Sequence, residues 1–255
     1  MTDWKVEHGN ALDLMRAMPD ASVDALLCDP PFGSTNAHWD QWATGPEWWE
    51  EVWRVVKPGR AVCLFMCGKP IVRLLREAGD WFRYKVVWDR MGRPSGFMKA
   101  NIMPMRRHED IYVFTREGLP AYWPHKEKHD GPSYGTVHHK KRRPGVLYND
   151  TIGSGTTTVD DGTRYPVDLI RSPAVNGTRE HPTQKPVAVM ERLVRWYSDK
   201  GAVILDPFCG SGSTGVACVE NGRAFIGIER DEKYVEIARR RIAEAAARPM
   251  LEGIK

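Results

Sequence analysis

A carboxylate, two prolines and an aromatic ring stand together at residues 29–32, and the carboxylate is the last residue of the largely apolar run VDALLCD. An almost continuous apolar run is typical of a strand that is covered on both faces. A carboxylate at the carboxyl end of such a strand faces the crevice in which doubly wound sheets bind ligands. Because proline fixes φ, the carbonyls of Asp29 and Pro30 are presented at fixed positions, and Phe32 could stack on a planar group. The segment could grip a flat heterocycle that bears an amino group, or it could be an Asx-type turn with Phe32 in the core.

A second motif, DPFCGSGST at residues 206–214, lies between an apolar run and a helical pattern. Gly210 and Gly212 let the backbone pass close to a ligand, and the helix that follows presents amide groups at its N-terminus. The motif matches neither the GxGxxG dinucleotide loop nor the P-loop, which needs a lysine. Glu229 ends the next predicted strand, where an acidic side chain can accept hydrogen bonds from ribose hydroxyls. The pattern predicts a site for a nucleoside-containing cofactor.

Alternating strands and helices are predicted at both ends of the chain, and they must position these motifs. The apolar periodicity predicts strands over 4–7, 23–29, 61–65, 82–88, 202–206 and 224–229. It predicts helices over 11–18, from about 46, and over 70–78, 186–197, 212–220 and 232–247. This alternation predicts an α/β fold, a doubly wound and mainly parallel sheet with helices on both faces.

The middle of the chain differs from both ends. Residues 116–178 show no clean period and are rich in Pro, Gly, His, Arg and Thr, which predicts an insertion on the α/β core. Between residues 83 and 144 there are 14 Lys and Arg residues against 6 Asp and Glu, although the net charge of the whole chain is only +4. Such a basic block favours a polyanion as partner, or it could be a solvated face.

The remaining composition limits the class of protein. No stretch approaches roughly 18 apolar residues and the N-terminus lacks a signal-peptide pattern, so we expect neither a transmembrane helix nor secretion. Five cysteines form no even disulfide framework, which favours a reduced, intracellular protein. Cys63 and Cys67 have no second ligand pair at zinc spacing, so no metal site is expected.

Three motifs, DPPF, DPFCGSGST and HPTQKP at residues 181–186, together resemble those of the amino-methylating DNA methyltransferases that use S-adenosylmethionine. Their order resembles the β group of this family, in which the catalytic motif comes first and the cofactor motif last. The stretch GRPSGFMKANIMPMRRHEDIYVF looks closest to adenine-N6 members. The resemblance covers about residues 4–115 and 179–245. It implies the methyltransferase fold with a circularly permuted motif order, in three regions: a catalytic half over 1–115, an inserted target-recognition region over 116–178 and a cofactor-binding half over 179–255.

The resemblance also implies roles for single residues. The catalytic motif is matched by Asp29, Pro30, Pro31 and Phe32. The cofactor is expected to contact Asn10, Asp29, Thr183, Lys185, Asp206, Pro207, Phe208, Gly210, Ser211, Gly212 and Glu229. Asn10 stands where many members have an acidic residue near the adenine of the cofactor. Lys185 matches a residue that helps to hold the cofactor's carboxylate, or it could simply be a helix-entry residue.

Contacts with DNA are expected from basic residues in two places. Lys99, Arg106, Arg107 and His108 cluster before the strand DIYVF, and Arg142 and Arg143 lie in the insertion. Each could instead be ordinary surface charge. Five tryptophans lie between residues 39 and 53. Trp49 and Trp53 are four residues apart on a predicted helix, which favours core packing over a base-stacking platform.

The chemistry has a physical reason. The exocyclic amine of adenine or cytosine is a poor nucleophile because its lone pair is delocalised into the ring. Asp29 and the carbonyl of Pro30 can each accept one N–H, which localises the lone pair and stabilises the positive charge that develops during attack on a sulfonium methyl. The base must be flipped out of the duplex, and Phe32 would stack on it. No cysteine lies where cytosine-C5 methylation would need a nucleophilic thiol.

The sequence therefore predicts a site-specific DNA adenine-N6 methyltransferase that uses S-adenosylmethionine and acts on double-stranded DNA in the cytoplasm, encoded by a bacterium or a phage. Cytosine-N4 methylation is the nearest alternative, although N4 members more often begin the catalytic motif with serine. Methylation of RNA or of a protein amide, and a non-catalytic DNA-binding module, are alternatives of other classes. A homodimer and a restriction endonuclease partner are compatible with the resemblance. The recognition sequence is not readable from these residues.

Overall fold

The computed structural model describes residues 3–33, 41–92, 94–128, 136–138, 157–175 and 180–248, with 136–138 and 157–159 described by their backbone alone. The chain divides into two compact units, Met1–Trp123 with Asp168–Lys255, and Pro124–Val167. In the described part of the chain, no helix is both long enough and apolar enough to cross a membrane.

The secondary structure follows the predicted alternation. The helices are α1 Ala11–Arg16, α2 Pro46–Val55, α3 Pro70–Ala78, α4 Val187–Tyr197, α5 Ser213–Glu220 and α6 Glu232–Ala246. The strands are β1 Trp4–His8, β2 Ala25–Cys28, β3 Val62–Met66, β4 Phe82–Asp89, β5 His108–Phe114, β6 Glu127–Lys128, β7 Thr136–His138, β8 Thr157–Val159, β9 Thr163–Arg164, β10 Leu169–Arg171, β11 Val203–Asp206 and β12 Ala224–Glu229. Short 3-10 turns occur at Gly79–Trp81 and Phe97–Lys99.

The larger unit is built on one eight-stranded sheet in the order β1-β12-β11-β2-β3-β5-β4-β10. Neighbouring strands are parallel, except that β5 runs antiparallel to both β3 and β4. The predicted α/β fold, a doubly wound and mainly parallel sheet, is therefore confirmed. β10 falls inside the predicted insertion 116–178, but it pairs with β4 and extends the main sheet.

Alternate residues of β2 enter two hydrophobic clusters, one on each face of the sheet. Ala25 and Leu27 belong to a cluster with residues of α4, α5 and α6, whereas Leu26 and Cys28 belong to one with residues of α2 and α3. All four residues are fully buried. Burial on both faces explains why this segment reads as a continuous apolar run and not as an alternating one.

Helix α2 begins with Pro46, whose fixed φ suits the first helical turn. Trp49 and Trp53 on this helix are buried, and their ring centroids lie 5.6 Å apart in a stacked arrangement. Their predicted role in core packing is confirmed. Trp39 lies outside the described residues.

The smaller unit is made of short antiparallel pairs. β6 pairs with β9, and β7 pairs with β8. Asp160 accepts hydrogen bonds from both terminal nitrogens of Arg164, at 2.6 and 2.8 Å. This bidentate pair ties the two ends of the turn that leads into β9.

Candidate active site

The two sequence motifs meet at one edge of the sheet because the strands that carry them are neighbours. β2 and β11 pair in parallel, with Leu26 opposite Leu205. Asp29 follows the carboxyl end of β2, and Asp206 is the last residue of β11. Both residues line one cavity with a volume of about 870 Å³. Cavities of roughly 300–1,000 Å³ are typical of small-molecule and cofactor sites.

Most of the predicted site residues border this cavity. They are Asn10, Asp29, Pro30, Pro31, Phe32, Arg106, Thr183, Lys185, Asp206, Pro207, Phe208, Gly210, Ser211 and Glu229. Four predicted residues are described but do not line it: Lys99, Arg107, His108 and Gly212. Arg142 and Arg143 lie outside the described residues. The cavity thus joins residues from both ends of the chain.

The turn after β11 is shaped by hydrogen bonds to the Asp206 carboxylate. Oδ1 accepts from the backbone N–H of Phe208 at 3.1 Å, and Oδ2 accepts from the Thr214 hydroxyl at 2.5 Å. Asp206 is only 3% exposed. Burial raises the pKa of Asp206 to about 7, although both hydrogen bonds act in the opposite direction. Asp206 therefore holds the turn from within and is partly protonated near neutral pH.

Gly212 acts on the site through the shape of the backbone. Its φ of +79° lies in the left-handed region that favours glycine. A Cβ at this position would lie 2.9 Å from the Cβ of Ala238 on α6, which is closer than side chains tolerate. Gly212 therefore allows both the turn before α5 and the close approach of α6.

Glu229 ends β12, the strand beside β11, and its carboxylate lies next to the glycine turn. Oε2 accepts from the N–H of Gly210 at 3.0 Å, and Oε1 accepts from the N–H of Asp231 at 2.8 Å. Because each carboxylate oxygen has a further lone pair, Glu229 can still accept hydrogen bonds from a ribose diol. Its position in the cavity wall fits the predicted role.

Asn10 is the N-cap of α1 as well as a cavity residue. Its side-chain oxygen accepts from the N–H of Leu12 at 2.9 Å and from the N–H of Asp13 at 3.4 Å. Asparagine is among the preferred N-cap residues because its short side chain can satisfy these amide groups. The cap gives Asn10 a structural role that the sequence patterns did not predict.

The Lys185 ammonium lies between two carboxylates at the catalytic edge. It donates a short hydrogen bond to Oδ2 of Asp29 and lies 3.4 Å from Oε2 of Glu109. The Lys185 side chain is 12% exposed. Burial lowers the pKa of Lys185, but the Asp29 and Glu109 charges outweigh burial and raise it above the usual value. The sequence linked Lys185 to the cofactor's carboxylate, whereas the structure pairs it with the catalytic-motif aspartate.

The sequence patterns do not single out Glu109, although it contacts the site. Glu109 is the second residue of β5, and β5 runs antiparallel to β3. The N-terminal end of β5 therefore reaches the edge at which the parallel strands end. Glu109 also lies 3.7 Å from Arg90, and both residues line the cavity. An acidic residue at the start of an apolar run is the only signal, and its meaning depends on strand direction.

Phe32 is half-buried and takes part in two environments. It borders the cavity, and it packs against the hydrophobic cluster that includes α2 and α3. The two interpretations of this ring, as a stacking surface and as a core residue, are therefore compatible. Trp48 of α2 stacks on Phe208, with ring centroids 6.4 Å apart and an angle of 27° between the ring planes. Phe32 of the first motif and Phe208 of the second therefore pack against the same hydrophobic cluster, which contains Trp48.

His181, which opens the HPTQKP motif, packs against α6. Its ring centroid lies 4.3 Å from that of Tyr234, and its Nδ1 accepts from the N–H of Thr183 at 3.2 Å. Burial lowers the pKa of His181 to about 4, and the Lys185 charge acts in the same direction. His181 is therefore neutral at physiological pH and fixes the turn that leads to Lys185.

The cysteines near the site do not favour thiolate chemistry. Cys28 and Cys209 are buried, and burial raises the pKa of each thiol well above its usual value. Cys67 lines the cavity, and burial raises its pKa as well. Since the thiolate is the nucleophilic form, these environments agree with the expectation that no cysteine attacks a ring carbon.

Four of the basic residues predicted to contact DNA lie close together in sequence: three belong to the connection between β4 and β5, and His108 is the first residue of β5. Lys99, Arg106, Arg107 and His108 are all exposed. Arg106 also borders the cavity, and Arg107 lies 3.2 Å from Asp89 at the end of β4. Of these four residues, only Arg106 therefore places a positive charge at the cavity itself.

Comparisons with known protein sequences match nearly the whole chain. The N6/N4 methyltransferase family, described as DNA methylase, matches residues 23–240. The type II methyltransferase M.HpaI of Haemophilus parainfluenzae is 27% identical over 261 residues, covering 94% of this chain and 74% of the relative. The DNA adenine methyltransferase YhdJ of Escherichia coli (strain K12) is 27% identical over 256 residues, covering 94% of this chain and 82% of the relative.

Solved structures with the same architecture were also found. The M1.HpyAVI–SAM complex has a TM-score of 0.61 and 22% sequence identity, with 94% of this chain and 98% of that chain covered. The cytosine-N4-specific PvuII DNA methyltransferase has a TM-score of 0.64 and 16% identity, with 96% and 92% covered. At these identities the likeness concerns the fold, and it agrees with the sheet and helices described above.

Proposed function

Because the chain belongs to the DNA methylase family of N6/N4 amino-methyltransferases, we propose that it methylates the N6 amino group of adenine at a specific site in duplex DNA. The substrate class of this family is DNA, and its cofactor is S-adenosylmethionine. The proposal depends above all on the single cavity that Asp29 shares with the glycine turn. The likeness to the adenine methyltransferase YhdJ supports adenine as the target base.

The residues around the glycine turn fit the cofactor. S-adenosylmethionine supplies a methyl group on a sulfonium centre when it is bound. Gly210 brings the backbone close to the cavity, and the Glu229 carboxylate has lone pairs for the ribose hydroxyls. Lys185 lines the cavity and donates to Asp29, so its ammonium group can pair with a cofactor carboxylate while it contacts the catalytic motif. The cavity thus contains an acceptor for the ribose and a cation for the carboxylate.

Asp29 and Pro30 make the amine nucleophilic. A carboxylate has about four lone-pair sites, so Asp29 can accept an N–H from the base while it keeps its bond to Lys185. The Pro30 carbonyl can accept the second N–H. These two acceptors draw the amine toward tetrahedral geometry and stabilise the positive charge that develops on nitrogen. The new N–C bond would form as the C–S bond of the sulfonium breaks to leave a thioether, and the amine would lose one proton to solvent water during or after transfer.

Recognition of the duplex is assigned to two basic regions. Lys99, Arg106, Arg107 and His108 are exposed, Arg106 borders the cavity, and such side chains suit contacts with phosphate groups. Arg142 and Arg143 lie in the predicted target-recognition region 116–178, which is proposed to select the sequence. Flipping of the base would bring its amino group to Asp29.

Methylation of unmodified duplex DNA by the purified protein tests the proposal. The DNA is incubated with S-adenosylmethionine and digested to nucleosides, which are then identified by mass spectrometry. We expect N6-methyladenine, and sequencing of the modified DNA should place it in one short motif. Absence of any methylated base, or methyl transfer to RNA or protein alone, would contradict the proposed function.

Asp29→Asn separates the chemistry from binding. Because the amide is a weaker acceptor and cannot balance the developing charge, kcat should fall about 100- to 1,000-fold, as when one preorganised electrostatic contact is lost. Cofactor binding, measured by calorimetry, should change little. Asp80→Asn, at an exposed aspartate on the 3-10 turn Gly79–Trp81, is the matched control and should retain full activity. Equal turnover of the Asp29 variant and the wild type would refute the catalytic role.

Cytosine-N4 methylation is the second candidate, because the family that matches this chain includes both N6 and N4 methyltransferases. Both target amines offer two N–H groups to the same pair of acceptors. N4-methylcytosine without N6-methyladenine in the digest would select this candidate.

We also propose, on the family resemblance, that the enzyme acts in a bacterial cytoplasm, as a homodimer or with a restriction endonuclease partner. M.HpaI and YhdJ are bacterial proteins, and M.HpaI is a type II methyltransferase. Analytical ultracentrifugation measures the oligomeric state directly.

A further inference from the structure

The connection between β4 and β5, residues 90–107, carries a concentration of exposed apolar side chains. The described residues include eleven exposed large apolar side chains, and six of them belong to this connection: Met91, Phe97, Met98, Ile102, Met103 and Met105. Phe97 and Ile102 are each 79% exposed, and Met98 is 89% exposed. We call residues 97–105 the tip. Exposed apolar side chains that are concentrated in one segment indicate an interaction site, whereas single scattered ones are ordinary.

The backbone of the tip is hydrogen-bonded within itself. Ser95 and Arg106 exchange backbone hydrogen bonds at 2.8 and 2.9 Å, which closes the base of the tip. The N–H of Lys99 donates to the carbonyl of Gly96 at 2.9 Å, and the N–H of Ala100 donates to that of Phe97 at 3.0 Å. The apolar side chains are therefore turned outward by a defined backbone conformation.

The base of the tip lies at the catalytic cavity. β4 is antiparallel to β5, and β5 is antiparallel to β3, so β4 ends at the same edge as the parallel strands. Arg90 follows β4 and Arg106 precedes β5, and both line the cavity that contains Asp29. A nucleobase in this cavity would therefore share it with the two residues from which the tip extends.

The charges around the tip favour DNA as the occupant. Lys99, Arg106 and Arg107 are exposed on or beside it and are complementary to phosphate groups. In a symmetric contact between two copies of this chain, the same basic residues would face each other and repel. Apolar side chains such as Phe, Ile and Met are those that proteins insert between base steps to unstack and open a duplex.

We propose that the tip enters the duplex beside the target base pair, and that Phe97, Met98 and Ile102 fill the gap left by the flipped base. This inference rests on the proposed function. Extrusion of a base costs a few kcal/mol of pairing and stacking, and an apolar filler stabilises the opened duplex. The basic residues beside the tip then hold the flanking phosphates.

A double variant, Phe97→Ser with Met98→Ser, tests the inference. Methylation is measured on two duplexes with the same target site: one fully paired, and one with an abasic site opposite the target base. We expect kcat/KM to fall about 10- to 100-fold on the paired duplex, since a few kcal/mol corresponds to this range. On the abasic duplex, where the target base is already unpaired, the variant should stay within about threefold of the wild type.

The matched control is Val72→Ser with Leu119→Ser, which removes two exposed apolar side chains outside the tip. It should behave as the wild type on both duplexes. As a readout independent of methyl transfer, 2-aminopurine at the target position should gain less fluorescence with the tip variant than with the control.

Three results would overturn the inference. The tip variant could match the wild type on the paired duplex, it could lose activity equally on both duplexes, or it could convert a dimer into a monomer in sedimentation. The last result would assign the tip to self-association. A wild-type protein that methylates neither duplex would contradict the proposed function, and the inference would fail with it.

Discussion

Lys185 lies between the carboxylates of Asp29 and Glu109, and this contact allows a prediction for the role of Glu109. The Lys185 ammonium contacts Asp29 and lies 3.4 Å from Glu109. Because the Glu109 charge helps to raise the pKa of Lys185, Glu109→Gln should lower that pKa, and the lysine should lose its proton at a lower pH. We expect kcat to fall about tenfold, which corresponds to roughly 1.4 kcal/mol. The alkaline limb of the kcat–pH profile, measured by steady-state methylation, should move to lower pH.

The control for this prediction is Glu117→Gln, at an exposed glutamate after β5. Its pH profile should coincide with that of the wild type. A Glu109 variant with lower kcat but an unmoved alkaline limb would indicate a merely structural role. Unchanged kcat would contradict the prediction outright, and the lysine would then need only Asp29.

The same three residues show what the sequence could predict at this scale. Asp29 is identifiable because it ends an apolar strand and precedes two prolines, and Lys185 because it belongs to a long motif. Glu109 is not identifiable, because its position at the cavity depends on the direction of β5 in the sheet. Apolar periodicity carries no information about strand direction. Asn10 was placed at the cavity, but its capping of α1 depends on where that helix begins.

At the level of elements, the packing of α5 depends on a glycine inside the helix. A Cβ on Gly215 would lie 2.4 Å from Cδ1 of Ile242 on α6 and 2.7 Å from Cε1 of Phe225 on β12. Gly215→Ala should therefore push these elements apart and lower the free energy of unfolding by about 1–3 kcal/mol, the usual cost of overpacking. Urea denaturation measures the effect, and cofactor affinity should fall as the N-terminus of α5 moves.

Gly79→Ala is the control for this substitution. Gly79 has a helical φ of −59°, and a Cβ there would meet nothing within 4 Å. Its free energy of unfolding should stay within about 0.5 kcal/mol of the wild type, as for most surface changes. If both alanine variants were equally stable, the close approach of α5 and α6 would not constrain the fold.

Element type and order were predictable where the periodic segments are long, as in α4 and α6. The bounds of β10 were not, because three residues carry no pattern, and the strand is held by its pairing with β4 and by the burial of Ile170 in the core. The antiparallel direction of β5 follows from the connection 90–107, which returns the chain to the edge that it left. The direction of a strand relative to its neighbours is set by tertiary packing, and local secondary-structure propensity does not encode it.

Over the whole molecule, strands from opposite ends of the chain meet at the centre of the sheet. β2 and β11 are adjacent, so the catalytic and cofactor motifs share one cavity although they are far apart in sequence. This meeting was predictable, since doubly wound sheets bring their strand ends to one crevice. The target base was not, because N6 of adenine and N4 of cytosine offer the same two N–H donors to Asp29 and Pro30. Family membership confirms the resemblance and leaves this choice to experiment.

The stability of the whole molecule should depend on pH through two buried groups in the cavity wall. Burial raises the pKa of Asp206 to about 7, so its contribution to folding is present at low pH and is lost as the pH rises from 3.8 to about 7. Burial lowers the pKa of His181 to about 4, so its contribution is present above pH 6.5 and is lost as the pH falls toward 4. Between about pH 4 and pH 6.5, a rise in pH therefore lowers the contribution of Asp206 to stability and raises that of His181.

Asp206→Asn removes one side of this balance while keeping an oxygen that can accept from the N–H of Phe208, and its NH2 group can donate to the hydroxyl oxygen of Thr214. Relative to the wild type, the variant should gain stability as the pH rises from about 4.5 to about 7, by a few kcal/mol, since each pKa unit corresponds to roughly 1.4 kcal/mol. Urea denaturation across this range measures the difference. Asp80→Asn, at an exposed site, should give a curve parallel to that of the wild type. If the curve of the Asp206 variant were also parallel to that of the wild type, the Asp206 carboxyl group of the wild type would titrate alike in the folded and unfolded chains. Burial at the end of β11 would then have no effect on its protonation.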